Sequence, residues 1–217
     1  MAVGQAPSVA LFCTLGSAEV DALLAGAPVL ELGTGEVVGP AQLVEASLLV
    51  IESGLALIRA EQPRSLRAVV VCHAGPGSVL LPPRTTEALA ALVPTRVTLF
   101  TPEMRDSLLQ VPGTAPLLFD ALAATVRQKH RTIEALAHHH HLDRVRAKLL
   151  QLAADHGIVG RDGVRLDLPL THELLGEMTG SARETVTRAI DELQEEGLVV
   201  RRGRSYRLAI DPTDLSP

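Results

Sequence analysis

Tryptophan is absent from this 217-residue chain, tyrosine occurs once and phenylalanine three times. Proteins that hold single-stranded nucleic acid stack its bases on aromatic side chains, so that mode is not expected. There are only two cysteines, Cys13 and Cys72, far apart and outside any CxxC or zinc spacing, which excludes a cysteine-rich zinc site or a cysteine-held iron–sulfur cluster on ligand count. A reducing, cytoplasmic setting fits, with both thiols buried as small hydrophobes. No apolar run approaches the roughly 18–20 residues of a membrane span, so no membrane partner is expected. The start, Met1 to Gln5, lacks the positive charge and apolar segment of a secretory signal. Enzyme signatures are missing too. There is no P-loop and no Ser/His/Asp order, and Gly33-Thr34-Gly35 lacks the third glycine and following helix of a dinucleotide fingerprint. The chain is therefore read as not an enzyme.

What is present is a folded protein, 47% hydrophobic and 21% charged, with a net charge of -5. The negative charge is uneven. Residues 142–207 hold eleven Lys/Arg and eleven Asp/Glu, with basic clusters at 144–148 and 201–207. Contact with phosphates needs a local basic face, not a basic whole protein.

The first hundred residues read as short strands. Pro28–Glu36 alternates and turns at Gly33 and Gly35. Ala46–Arg59 is two apolar runs split by Ser53-Gly54. Leu66–Cys72 is β-branched, and Arg96–Phe100 ends at Pro102. Such spacing suggests an antiparallel barrel or sandwich. Ser17 caps a short helix to Leu24, and Thr101–Val111 is a second with Pro102 at its first position. From Thr114, Leu118, Leu122, Val126, Ile133 and Leu136 recur at threes and fours, the narrow seam of two paired helices.

The C-terminal third is more specific. Arg144–Ala154 is helical and Val164–Leu168 alternates as a strand. Thr171 caps a helix to Met178, and Thr179-Gly180 is a turn. Ser181 and Glu184 have the spacing of a capping box for a helix that stops at Gly197. Leu198–Arg201 and Tyr206–Ile210 form a hairpin around Gly203 with an Arg-rich tip. This order spells a winged helix-turn-helix. In its second helix Arg183, Glu184, Thr187 and Arg188 share one side, while Val186, Ile190 and Leu193 turn inward. Arg pairs with guanine and Glu with cytosine in the major groove, so this face is suited to reading double-stranded DNA.

The stretch Leu170–Val200, LTHELLGEMTGSARETVTRAIDELQEEGLVV, resembles the DNA-binding domain of the Crp/Fnr family of bacterial transcription regulators. The resemblance implies an α+β chain: an N-terminal antiparallel β-barrel of cyclic-nucleotide-binding type over 1–112, a dimerisation helix and hinge over 113–141, and a winged helix-turn-helix over 142–217. It implies a homodimer that binds a palindromic site and works with RNA polymerase. Arg183, Glu184 and Arg188 would read bases, and Thr171 and Ser181 would contact phosphates. The family's nucleotide cassette is only half kept. Arg84-Thr85 fits its phosphate-binding end, but the Gly-Glu pair that would bind the ribose is missing from Gly75–Thr86. Cyclic AMP is therefore expected to bind poorly or not at all. Arg127 and Arg131, one helical turn apart, suit guanine edges and phosphates, which makes a cyclic dinucleotide such as cyclic di-GMP the leading effector expectation. His138–His141 falls at the hinge, where His138 and His141 would share a helical face and are weak metal candidates. The alternatives are an effector-independent or metal- or pH-responsive regulator, and a sensory protein-interaction module that does not bind DNA.

Overall fold

The computed structural model describes residues 11–12, 15–61, 68–203 and 205–211, apart from the Arg202 side chain. Cys13, Arg204 and the start of the run at Leu66 lie outside them. The chain groups into two units, Met1–Ala60 with Cys72–Gln128, and Glu61–Val71 with Lys129–Pro217.

The first unit opens with helix α1 (Ala18–Gly26), where Ser17 accepts the Val20 amide as N-cap. Eight strands follow: β1 (Val29–Leu32), β2 (Val37–Val38), β3 (Leu48–Ser53), β4 (Ala56–Glu61), β5 (Ala68–Ala74), β6 (Val79–Leu80), β7 (Glu87–Ala91) and β8 (Thr95–Phe100). They form two four-stranded sheets, ordered β1-β8-β3-β6 and β2-β7-β4-β5. This is a jelly-roll-like sandwich rather than a closed barrel. The turn between β3 and β4 is forced by Gly54, at φ 85, where an added Cβ would lie 2.2 Å from the Pro94 carbonyl oxygen. Leu48, Leu49, Val50 and Ile51 of β3 are all buried, so both faces of its sheet are covered. Leu48 and Val50 pack with Val79 and Phe100 against Val20, Leu24, Leu108 and Leu118 from the helices and Val111 from the link between α2 and α3.

Helix α2 (Pro102–Gln110) is capped by Thr101, and α3 (Thr114–Ala137) begins four residues after α2 ends. Leu118 is 4% exposed and belongs to the first unit's own core, which corrects its place in the pairing seam. The large apolar residues α3 presents to solvent are Phe119, Val126 and Ile133, at 71%, 50% and 63% exposure. They fall seven apart on one stripe, with Leu122 and Leu136 half-buried beside it.

The second unit holds α4 (His141–His156), β9 (Ile158–Gly160), β10 (Gly163–Leu166), α5 (His172–Thr179), α6 (Arg183–Glu195), β11 (Val199–Arg202) and β12 (Ser205–Leu208). Its sheet runs β11-β12-β10-β9. Val145, Leu149 and Leu152 of α4 meet Leu170, Leu175, Val186, Ile190 and Leu193 in a core where each is at most 1% exposed. The helical face expected to unite His138 and His141 does not form. Helix α3 stops at Ala137 and α4 starts at His141, so His138 lies in the break between two helices. The capping box at Ser181 is also absent. The N-cap of α6 is Ala182, with no side-chain hydrogen bond, because Ser181 finishes the preceding turn: its amide donates to the Gly176 carbonyl at 3.0 Å.

Candidate nucleic-acid interface

The geometry begins with the turn between α5 and α6. Gly180 takes the left-handed conformation at φ 61, which closes α5 in one residue. Gly176 lets the next segment approach, since a Cβ there would lie 2.6 Å from the Ser181 carbonyl oxygen. The two glycines bring α6 across α5 with Val186, Ile190 and Leu193 fully sealed. Arg183, Glu184 and Arg188 are left exposed on the other side, in the first two turns.

None of these three has an oppositely charged partner among the described residues. Arginines elsewhere do: Arg96 with Glu31 and Glu52, Arg131 with Asp155, Arg146 with Glu196, Arg165 with Asp167 and Arg207 with Asp162. The donors of Arg183 and Arg188 and the carboxylate of Glu184 are thus left for a ligand.

The other expected DNA contacts are placed unequally. Thr171 is exposed at the start of α5, where its Oγ1 accepts the Leu174 amide at 3.1 Å. Its hydroxyl proton stays available to a phosphate. Thr187 is half-buried. Its hydroxyl donates to the Arg183 carbonyl at 3.0 Å, so it accepts from His172 Nδ1, 2.7 Å away. Burial, then the charges of Arg201 and Arg183, hold the His172 pKa below its ordinary value, with Asp191 opposing. Thr187 therefore ties α6 to α5. Ser181 is 5% exposed, and its hydroxyl meets the Thr179 carbonyl at 3.3 Å and His141 Nδ1 at 2.9 Å. On the wing, Arg201 donates from Nε to the Gly203 carbonyl at 3.0 Å and lies 5.9 Å from the centre of the Tyr206 ring. That pre-orders the side chain beside α6.

In the first unit Arg84 and Thr85 are exposed on the segment between β6 and β7, and Arg127 is exposed on α3. Arg131 is committed differently: its Nη2 donates to Asp155 of α4 at 3.1 Å. A further polar cluster surrounds Gln128. Gln128 is 8% exposed and brings its Oε1 to 3.2 Å from Cys72 Sγ and its Nε2 to 2.9 Å from His73 Nδ1. The signal, a single Gln between Thr125 and Thr132 on α3 and 55 residues from its partner His73, is too weak to read in the sequence. His138, His139 and His140 are exposed, and no described group of His, Cys, Asp or Glu is placed to hold a metal ion. No described helix is long and apolar enough to cross a membrane.

Known proteins match this arrangement. Residues 143–216 match the Crp-like helix-turn-helix domain. A curated relative, the global nitrogen regulator of Synechococcus elongatus, is 36% identical over 96 residues, 44% of this chain and 43% of its own. The match therefore spans less than half of that relative's length. A solved CooA variant from Carboxydothermus hydrogenoformans has a TM-score of 0.77 at 17% identity, covering 94% of this chain and 93% of its own. The regulator CLP of Xanthomonas campestris, described as responsive to cyclic di-GMP, has a TM-score of 0.70 at 20% identity, covering 89% and 99%. The domain and its relatives are those of regulators rather than enzymes. The C-terminal third of the chain is thus a Crp-like helix-turn-helix domain, and nearly all of its length shares the fold of the solved CooA variant and of CLP.

Proposed function

We propose that this protein is a transcription regulator that binds double-stranded DNA as a homodimer. The observation that carries the reading is the exposed set Arg183, Glu184 and Arg188, without charged partners among the described residues, on a helix whose opposite face is sealed. The stripe of Phe119, Val126 and Ile133 on α3 supports the dimer, since large apolar residues at a seven-residue repeat fit a second copy of the same helix. A two-fold dimer favours a near-palindrome with half-site centres roughly 34 Å apart, one turn of the duplex. RNA polymerase is the further partner expected of such a regulator. In a mobility-shift assay on genomic fragments the parent protein retains a subset of them. Retention of none supports the protein-interaction alternative instead.

The effector proposed is a cyclic dinucleotide. Arg84 and Arg127 support it, both exposed and without a carboxylate partner among the described residues. Arg131 supports it less, since its guanidinium is engaged by Asp155. Calorimetry with cyclic di-GMP, cyclic di-AMP and cyclic AMP tests this: Arg127→Ala weakens the cyclic dinucleotide, whereas binding of cyclic AMP alone contradicts the reading.

A further inference from the structure

His141 opens α4, and its imidazole lies against the turn that leads into α6. Nδ1 is 2.9 Å from the Ser181 hydroxyl and 2.5 Å from Nη2 of Arg144. The same Nη2 lies 3.3 Å from Nε2, and a guanidinium can only donate, so the ring nitrogen that accepts it carries no proton and the imidazole is neutral. A cationic group thus points at a base that itself becomes cationic. Neither has a carboxylate within ion-pair reach among the described residues, and Arg144 Nε is buried without a partner there. Asp143, the nearest acid along α4, lies 3.9 Å from Arg146 instead.

Further positive charge arrives from two sides. Arg188 of α6 faces the imidazole. Burial first, then Arg144 and Arg188, push the His141 pKa below its ordinary value, and no acidic group opposes them. The first turn of α4 adds the positive end of a 16-residue helix whose N-cap, His140, makes no side-chain cap bond. Gly180 borders the cluster: a Cβ there would lie 4.0 Å from the Arg144 guanidinium.

We propose that His141 and Arg144, flanked by Arg188 and with Ser181 orienting the imidazole, seat one backbone phosphate of the DNA beside the bases that α6 reads, and that the imidazole takes up a proton as the phosphate binds. The phosphate draws the Arg144 guanidinium off the imidazole, and a proton from solvent takes the vacated ring nitrogen. The phosphate charge then offsets the two arginines that kept the ring neutral. This inference rests on the DNA-binding reading above.

The test is calorimetric titration of the full-length protein with its selected duplex, in buffers of different ionisation heat, at about pH 6 and about pH 8. The parent takes up protons on binding and binds more tightly at the lower pH. His141→Gln, which cannot titrate, keeps the sequence preference and loses the uptake, while His172→Asn keeps the uptake. Arg144→Ala binds every duplex about tenfold more weakly, and its salt slope falls by about 1. A methylphosphonate at the seated phosphate reproduces the Arg144→Ala loss in the parent and adds nothing in the variant. A parent that binds the duplex without proton uptake, or a His141→Gln variant that titrates like the parent, overturns the seat alone. A parent that binds no duplex at either pH overturns the DNA-binding reading and the seat with it.

Discussion

Three histidines of the second unit have their pKa values lowered for related reasons. His156 is buried at the end of α4, and that burial outweighs the opposing charge of Asp155; His172 and His141 are pushed in the same direction. An unfolded histidine binds a proton near pH 6.5, whereas these folded ones do not until the pH is lower. The unfolded state therefore binds more protons in this window. The stability from these groups is fully present above about pH 6.5 and is lost as the pH falls from there through their lower folded values. The melting midpoint should drop between about pH 7.5 and about pH 5.5, and His156→Gln should flatten that slope. A midpoint that rises on acidification contradicts the assignment. The residues proposed to read bases are legible in the sequence because helix periodicity alone separates Arg183, Glu184 and Arg188 from Val186 and Ile190. Ser181 is not, since its spacing to Glu184 fits a cap equally well. What decides is that its amide is claimed by the Gly176 carbonyl, an event in the preceding helix.

At the scale of elements, the α5–α6 pair depends on close approach at Gly176. Gly176→Ala would drive a methyl group into the Ser181 carbonyl, 2.6 Å away, an obstacle of backbone rather than of a yielding side chain. Overpacking of this kind costs about 1–3 kcal/mol. Thermal unfolding should show that loss, and DNA affinity should fall as α6 shifts. Helix α3 invites a second substitution. Val126→Asp leaves the core of either unit untouched, since Val126 is 50% exposed, but places charge on the Phe119–Ile133 stripe. Sedimentation should then give monomer where the parent gives dimer; an unchanged dimer would place the interface elsewhere. Both elements are visible from sequence, yet the stripe is misdrawn there by one position. Leu118 and Phe119 are equally apolar, and only the packing of α3 on Phe12, Leu108 and Val111 chooses which turns inward. The short strands β2, β6 and β7 escape for a similar reason. The two residues of β6 and the alanine-rich β7 are held by pairing with β3 and β4, not by local propensity.

For the whole molecule, the winged helix-turn-helix is the part most legible in sequence, because caps, turn glycines and alternation all agree over some seventy residues. The sandwich is legible as strands but not as two sheets, since the pairing of β1 with β8 joins residues about 65 apart, as in Glu31 with Arg96. The whole molecule is also where the reading helix and the α3 stripe make a joint claim. A dimer built on α3 carries two copies of α6, so its preferred DNA has to repeat with two-fold symmetry. Selection of binding sites from a random duplex library by the purified protein tests this most directly, with Arg183→Ala run in parallel. The parent should recover a near-palindrome with half-sites one helical turn apart, and Arg183→Ala should bind it about 1–3 kcal/mol more weakly with one guanine position relaxed in each half. Recovery of no common sequence, or of the same sequence with equal affinity by Arg183→Ala, would contradict the account.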